Sequence, residues 1–264
     1  MKNILVPIGI SNNAKSNLQF AIKLSNSFGS RIYAIDAYPS TSNLTSISNV
    51  SLRLAKEKSE RIRNLINQLK PKASNIKIVE SELDLIGAIK KLDQNIGIDL
   101  IITASLNNEI NNEVFLGPIA GRLIKLLDIP VLVAPLDKSF KPPKKMLLAF
   151  KTGEVKDEST LNAMIEFKDK FKAKLKLLLV KVPGFTNRNH SLDDILMKRS
   201  ENLIYSENET VYKGVLEYFQ VFKPDILVTF KRERGFFESL WESNIIYKKD
   251  FYCKVPLLVL KNKD

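Results

Sequence analysis

Cysteine and histidine are almost absent from this sequence, which has one of each among 264 residues. A single cysteine, Cys253, excludes an intrachain disulfide and a zinc cluster held by cysteines. The single histidine, His190, stands in a polar Asn-Arg-Asn-His-Ser stretch that is typical of a solvated loop. We therefore expect neither a metal site nor a Cys-His nucleophilic pair.

Long apolar runs are also missing. The first residues, Met1–Ile8, carry one cation and a short apolar run broken by Pro7, whereas a secretory signal has a longer apolar region. No later stretch approaches the ~18 apolar residues of a membrane span. The sequence therefore predicts a cytoplasmic protein that does not contact a membrane.

Acidic residues are scarce beside basic ones, since 41 Lys and Arg face 29 Asp and Glu and give a net charge of +12. A charge of this size can indicate nucleic-acid binding. The excess is spread over both halves, however, and most lysines interrupt amphipathic helical patterns. We expect these cations to form solvated helix faces and do not expect a nucleic-acid partner.

Short apolar segments alternate with amphipathic segments along the chain. Lys2–Ile8 is apolar nearly throughout, as a strand covered on both faces should be. Further strands are predicted at Arg31–Ala37, Ile76–Val79, Ile98–Thr103 and Pro130–Ala134. Among the intervening helices, one stops at Pro71 and the fourth is predicted over Phe115–Leu127. This alternation predicts a parallel sheet with right-handed crossovers.

The same order of segments occurs twice, which indicates two domains. Segments that repeat strands of the first half are Lys145–Phe150, Asp225–Phe230 and Val255–Leu260. We predict domain 1 at residues 1–137, a linker at 138–142 and domain 2 at 143–264. The stretch before the third strand of domain 2, Pro183–Ser200, is much shorter than its counterpart, so we expect that domain's second helix to be largely missing.

Several segments have a characteristic order and spacing. They are Ile4–Ile8, Asp99–Ile102, Leu116-Gly117 ahead of a helix, and Ile129–Val133, with similar segments at Lys145–Phe150, Asp225–Val228 and Val255–Val259. Together they resemble the universal stress protein family, in its tandem two-domain form, over nearly the whole chain. The resemblance implies two Rossmann-like domains of the adenine nucleotide alpha hydrolase type. Each would be an α/β unit with a five-stranded parallel sheet of order 3-2-1-4-5 and helices on both faces.

The resemblance also implies an ATP site, but this sequence departs from its pattern. ATP-binding members carry an Asp two residues after the first-strand proline and Gly-x2-Gly-x9-Gly-Ser/Thr after the fourth strand. Here the Asp position is Gly9, the glycine positions hold Ala104, Asn107 and Gly117, and the Ser/Thr position holds Pro118. Pro118 offers neither an N–H nor a hydroxyl to a phosphate. We expect a degenerate nucleotide pocket, weak binding of ATP or AMP, and no resident cofactor.

The second half departs further from the ATP-binding pattern. Its Asp position holds Lys151, and Phe230 stands where the backbone must approach a phosphate. Three cations follow at Lys231, Arg232 and Arg234. With Lys151 they could hold a small anionic ligand near the strand ends; the alternative is a solvated loop.

Catalytic motifs are missing from the sequence, including Gly-x-Ser-x-Gly and the Walker-type phosphate loop. We therefore predict no catalytic residue and no enzymatic activity. The leading hypothesis is a non-enzymatic stress-response protein that acts by binding a small anionic ligand or a protein partner. The alternatives are a nucleotide sensor that uses the divergent pocket of domain 1, and an enzyme related to ATP hydrolases.

The fifth strand of each half, Pro130–Ala134 and Pro256–Leu260, is short, apolar and uncharged. An exposed edge strand of this kind readily pairs with another strand. The resemblance implies that this strand mediates dimers in single-domain family members. We therefore expect an intramolecular pseudo-dimer in which strands 130–134 and 256–260 lie in one interface.

Overall fold

Strands and helices alternate through the computed structural model, which describes residues 1–9, 13–37, 48–69, 75–81, 83–105, 114–136, 138–150, 155, 157–183, 194–209, 211–231, 246–247 and 254–261. The strands of the first half are β1 (Asn3–Ile8), β2 (Arg31–Asp36), β3 (Asn75–Val79), β4 (Leu100–Ala104), β5 (Val114–Leu116) and β6 (Val131–Ala134). Those of the second half are β7 (Lys145–Phe150), β8 (Lys174–Lys181), β9 (Asn202–Glu207), β10 (Ile226–Lys231), β11 (Ile246–Tyr247) and β12 (Leu257–Lys261).

The α-helices occupy the connections between these strands. They are α1 (Asn13–Phe28), α2 (Ser48–Leu69), α3 (Leu85–Ile96), α4 (Pro118–Leu126), α5 (Asn162–Phe171), α6 (Asp194–Arg199) and α7 (Val211–Phe222). A short 3-10 helix, Glu158–Leu161, leads into α5. Helix α2 has 22 residues, whereas α6, its counterpart in the second half, has 6. In the part of the chain that the structure describes, no helix is both long and apolar enough to cross a membrane.

Ten of the strands form one sheet in the order β3-β2-β1-β4-β6-β12-β10-β7-β8-β9. All pairs within each half are parallel, and each half has the order 3-2-1-4-5, so the predicted fold class is confirmed. The halves meet where β6 pairs antiparallel with β12, which places Leu132 opposite Leu258.

Helices cover both faces of this sheet and enclose two hydrophobic cores. Side chains alternate along each strand, so Ile4 and Val6 enter the core under α1, α2 and α5, whereas Leu5 enters the core under α3, α4 and α7. All three are fully buried. Both cores continue across the junction of the halves, because Leu258 belongs to the first and Leu257 to the second.

Aromatic rings join the two halves on the α1 face. Phe28 of α1 lies 5.4 Å between ring centroids from both Phe167 and Phe171 of α5. Phe140 contacts Phe20 edge-on at a centroid distance of 5.4 Å, and it is only 8% exposed. Phe140 falls in the segment predicted as a linker, so this segment carries a side chain that packs between the halves.

Two aspartates hold the amino ends of the central strands in the same way. Asp99, just before β4, accepts hydrogen bonds from the backbone N–H groups of Lys2 and Asn3. Asp225, just before β10, accepts from the N–H groups of Lys144 and Lys145 at 2.8 and 2.9 Å. The aspartate that begins each repeated Asp-Leu/Ile segment therefore ties adjacent strands together.

The prediction of the fourth helix was wrong at its start. The predicted helix began at Phe115, but α4 begins at Pro118, and Val114–Leu116 forms β5, which pairs antiparallel with β11 of the other half. Proline has no N–H and disfavours helical dihedrals in the residue before it, which is Gly117 with φ −79° and ψ 175°. Pro118 can therefore begin a helix but cannot lie inside one.

Candidate functional site

A cleft of about 200 Å³ opens at the carboxyl ends of β1 and β4. The chain runs from β1 outward through β2 to β3 and then returns to β4 on the other side of β1. Such a switch point leaves a crevice, since the connections after the two strands diverge. The cleft is lined by Pro7, Gly9, Asn13, Ala14, Asn17, Ala37, Thr103, Ala104, Ser105, Gly117, Pro118, Ile119 and Ala120.

Four of the five predicted pocket residues converge on this cleft. Gly9 follows β1, Ala104 ends β4, and Gly117 and Pro118 begin α4. The fifth, Asn107, lies outside the described residues. Positions chosen by their spacing in the sequence thus share one site, because the parallel strands end at the same edge of the sheet.

The amino terminus of α4 forms one wall of the cleft. Gly117 is the N-cap residue and Pro118 occupies the first turn. The N–H of Gly121 closes the first helical hydrogen bond, at 3.0 Å from the carbonyl oxygen of Gly117. The N–H groups of Ile119 and Ala120 have no intrahelical partner at this end of the helix and can attract an anion. Pro118 removes one N–H donor from the same turn.

Asn17 is a cleft residue that the sequence prediction missed. Its side chain is 4% exposed. The Nδ2 atom lies 3.5 Å from the carbonyl oxygen of Ile102, while Oδ1 has no hydrogen-bond partner among the described residues. The sequence could have indicated this residue, because Asn17 is a polar residue between Ala14 and Leu18 on the apolar face of α1. An uncompensated polar atom at such a position is costly and is expected only where a ligand or water satisfies it.

None of the described residues that line this cleft is Lys, Arg, Asp or Glu. Charged groups lie beyond Gly9, in a groove between α1 and α2 where Lys15 and Arg61 are offset by Glu57 and Glu60. Arg61 also pairs with Asp36. The described part of the cleft therefore offers hydrogen-bond groups and a helix terminus to a ligand, and its lining there includes no side-chain cation.

In the second half, the predicted anion cluster is described only at Lys231. Lys151, Arg232 and Arg234 lie outside the described residues. Lys231 ends β10, and its Nζ donates a hydrogen bond to the carbonyl oxygen of Lys125 at 2.5 Å. That carbonyl belongs to the last turn of α4, where the helix dipole favours a cation. Lys231 thus connects the two halves.

Lys261, at the end of β12, is directly beside Lys231 in the neighbouring parallel strand. It is 4% exposed, and its Nζ donates a hydrogen bond to the carbonyl oxygen of Ile124 in α4. Burial, together with the charge and the hydrogen bonding of Lys231, lowers the pKa of Lys261 to about 6, and the attraction of Asp128 opposes this shift. The sequence prediction did not include Lys261. The one feature of the sequence that distinguishes Lys261 is that it directly follows four apolar residues of a strand.

Within the described ranges, no group of three or more His, Cys, Asp or Glu residues is placed to hold a metal ion.

A mostly parallel, doubly wound sheet with helices on both faces and a cleft at the switch point of its first half defines a Rossmann-like α/β protein. The model of the universal stress protein family matches residues 1–135, and the chain belongs to this family. The resemblance of the sequence to this family is thereby confirmed, with the family model covering residues 1–135.

Solved structures agree with this architecture over the full length of the chain. A universal stress protein from Archaeoglobus fulgidus DSM 4304 superposes with a TM-score of 0.70 at 14% identity, covering 99% of this chain and 98% of its own. A protein of unknown function from Pseudomonas aeruginosa PAO1 superposes with a TM-score of 0.57 at 15% identity, covering 99% and 93%. At these identities the similarity establishes the fold alone. No curated protein matches the chain.

Proposed function

We propose that this chain is a cytoplasmic stress-response protein that acts by binding a small ligand or a protein partner and catalyses no reaction. Its two halves are proposed to be the domains predicted at 1–137 and 143–264, each with a degenerate ATP site. Membership of the universal stress protein family supports the general assignment.

The observation that carries the proposal is the composition of the cleft wall. The wall contains Gly9 and Pro118 at positions where ATP-binding relatives have Asp and Ser or Thr, and no lining residue within the described ranges carries a charge. Each lost hydrogen bond to a charged group weakens binding by ~1.5–3 kcal/mol, or roughly one to two powers of ten. A triphosphate would therefore find few of the partners that it needs.

We expect ATP to bind this cleft with a dissociation constant weaker than ~10 μM, which corresponds to a free energy of about −7 kcal/mol. Isothermal titration calorimetry of the full chain measures it directly. Tighter binding would contradict the proposal. Any binding that is detected should be abolished by Gly117→Asp, because a carboxylate would then face the phosphates.

A double variant that restores the family's ATP-binding residues is the matched control for this titration. The double variant Gly9→Asp, Pro118→Ser restores the missing carboxylate and hydroxyl and adds an N–H donor. We expect ATP affinity to rise by at least about tenfold, since each regained hydrogen bond contributes ~1.5–3 kcal/mol. An unchanged affinity would show that these two positions do not limit binding. Turnover of labelled ATP by the parent chain would contradict the non-enzymatic assignment.

Nucleotide sensing is a second candidate, and the unpartnered Oδ1 of Asn17 favours it. This acceptor could receive a hydrogen bond from an amino or hydroxyl group of a nucleotide, while the N–H groups of Ile119 and Ala120 receive one phosphate. Differential scanning fluorimetry with ATP, AMP and cyclic nucleotides separates the candidates. A rise in melting temperature with AMP that disappears in Asn17→Leu would favour the sensor.

An anionic ligand of the second domain is expected to depend on Lys231 together with Lys151, Arg232 and Arg234. Replacing both Lys231 and Arg232 by alanine should weaken polyphosphate binding and flatten its dependence on salt concentration. Lys223→Ala with Lys254→Ala is a control of equal charge, since both lysines are exposed. Identical binding by the parent and the Lys231, Arg232 variant would show that the cluster is a solvated loop.

A further inference from the structure

Five lysines gather at the amino ends of β7 and β8, and we refer to them as the lysine edge. They are Lys144, Lys145, Lys172, Lys174 and Lys176. Lys145 and Lys174 are paired in the two parallel strands, and the N–H of Lys174 donates to the carbonyl oxygen of Lys144 at 2.9 Å. Lys172 is the C-cap residue of α5, two residues before β8. Lys176 is half-buried and the other four lysines are exposed.

The end of α7 lies against this edge. Lys174 and Lys176 point to the same face of β8, because side chains alternate along a strand, and Lys145 in β7 is aligned with Lys174. The ammonium groups of Lys145 and Lys176 lie 5.6 and 4.6 Å from the ring centroid of Phe222. The carbonyl oxygen of Phe222 accepts from Lys145 at 3.3 Å. Val221, the residue before it, is 80% exposed. Ammonium groups and one protruding apolar side chain therefore share this end of the molecule.

The charge of the lysine edge is only partly offset by nearby acids. The carboxylate of Asp225 accepts from the backbone N–H groups of Lys144 and Lys145. Asp169 lies 3.9 Å from the ammonium group of Lys168, and Glu201 is exposed just before β9. Even with these three acids counted, the five lysines are in excess and create a positive potential.

We propose that the lysine edge is a peripheral docking surface for a membrane leaflet rich in anionic phospholipids, with Val221 entering the headgroup region. Lysine clusters of this size bind such leaflets through the negative surface potential of the lipids. The sequence predicted no membrane contact because it has no apolar span. A peripheral contact needs no span, and these lysines become neighbours only when β7 and β8 pair.

The composition of the edge favours lipid over other polyanions. Acidic peptide motifs are recognised mostly by arginine clusters, whose planar groups bind carboxylates in pairs, whereas the edge consists of lysines. Single-stranded nucleic acid needs aromatic rings on which bases stack, but Phe222 is 8% exposed and two ammonium groups lie over it. An apolar side chain exposed among cations, such as Val221, is what an interfacial contact with lipid uses.

This surface is separate from the nucleotide cleft. The lysine edge lies at the amino ends of the strands, whereas the cleft lies at the carboxyl ends of β1 and β4. The proposal therefore goes beyond the proposed function, and neither depends on the other.

The test is co-sedimentation of the full chain with vesicles. The vesicles contain phosphatidylcholine with about one-third phosphatidylserine, and pure phosphatidylcholine is the neutral reference. We expect binding to the anionic vesicles alone. It should be lost as NaCl rises from about 0.1 M to about 1 M, because the Debye length falls from about 10 Å to about 3 Å. The triple variant Lys144→Gln, Lys172→Gln, Lys174→Gln should bind roughly a hundredfold more weakly, since each lysine near the surface strengthens binding roughly fivefold.

The matched control is Lys15→Gln, Lys90→Gln, Lys91→Gln, which has the same net charge and changes exposed lysines of α1 and α3. We expect it to bind within about threefold of the parent chain. Equal losses in the two triple variants would show that binding follows net charge alone and would overturn the proposal. Absence of vesicle binding by the parent chain would also overturn it. If the parent bound poly(U) RNA but no vesicles, the edge would be a nucleic-acid surface instead.

A fluorescent label provides a second readout that does not depend on removing lysines. In a Cys253→Ser background, Val221→Cys is labelled with nitrobenzoxadiazole, whose emission rises when the group leaves water. We expect a rise with phosphatidylserine vesicles and none with poly(U) RNA. The same label introduced by Leu83→Cys, at a residue that is 47% exposed, should not respond. Unchanged emission at position 221 on protein bound to vesicles would contradict the proposed orientation and overturn the proposal.

Discussion

Replacing Leu258 by lysine is expected to destabilise the protein by about 3–5 kcal/mol, because it leaves an uncompensated charge in a buried seam. Leu258 is fully buried in β12, directly opposite the equally buried Leu132 of β6. Leu132→Lys should have a similar effect from the other side. Urea unfolding followed by circular dichroism measures the loss as a lower midpoint.

Leu126→Lys is the matched control, since Leu126 is 44% exposed and the same substitution there should change stability by less than about 0.5 kcal/mol. A double-mutant cycle tests the pairing itself. Leu132→Glu combined with Leu258→Lys should be less destabilising than the sum of the single effects, because the opposite charges would face each other across the seam. Strict additivity would contradict direct pairing in solution.

Expression of the halves gives an independent test of the same interface. Residues 1–137 or 143–264 alone would expose β6 or β12 as an apolar edge, which invites pairing with a second copy. We expect each half to dimerise or aggregate, measured by analytical ultracentrifugation. A stable monomer at high concentration would contradict the intramolecular pseudo-dimer.

Replacing Lys261 by methionine is expected to stabilise the protein at pH 7. The pKa of Lys261 falls from its ordinary value of 10.5 to about 6 on folding, so the unfolded chain binds one more proton between these limits. At pH 7 this difference costs the folded state on the order of 4 kcal/mol. Methionine removes that cost but leaves the Ile124 carbonyl unpartnered, at ~1–3 kcal/mol. We expect a net gain of about 1–3 kcal/mol.

The pH dependence identifies the cause of this gain. Because the unfolded state carries the extra proton, the stability of the parent chain rises with pH between about 6 and 10.5 and is independent of this group below pH 6. The advantage of Lys261→Met should therefore shrink by about 1.4 kcal/mol per pH unit as pH rises from 7 to 9. Lys254→Met, at an exposed site, is the control. A difference between Lys261→Met and the parent that stays constant with pH would exclude the proton linkage.

The class of fold was readable from the sequence because its signals are local. Strand Lys145–Phe150 was predicted with its observed bounds, because a short apolar run that repeats the pattern of Lys2–Ile8 favours a buried strand. The strand-helix alternation predicted parallel strands with right-handed crossovers, and the family resemblance implied the strand order. The family pattern placed Gly9, Ala104, Gly117 and Pro118, which the strand ends then brought to one cleft.

Features that join distant segments of the chain could not be predicted from local patterns in the sequence. Strand β5 has three residues and its partner β11 has two. Both are too short to show the alternation of apolar and polar residues that predicts a strand. The sequence places Asn17 on the apolar face of α1, but only the folded chain shows that its Oδ1 has no hydrogen-bond partner among the described residues.

Lys261 gives the clearest division between sequence and tertiary structure. The sequence predicted an apolar strand that ends at Leu260, and it places a lysine directly after that residue; in the structure the strand includes Lys261. Whether that lysine is exposed and charged, or buried beside Lys231 and under α4, depends on how the two halves dock. The pKa of an amine is set by the water and charges around it, and these surroundings exist only once segments more than a hundred residues apart have packed together.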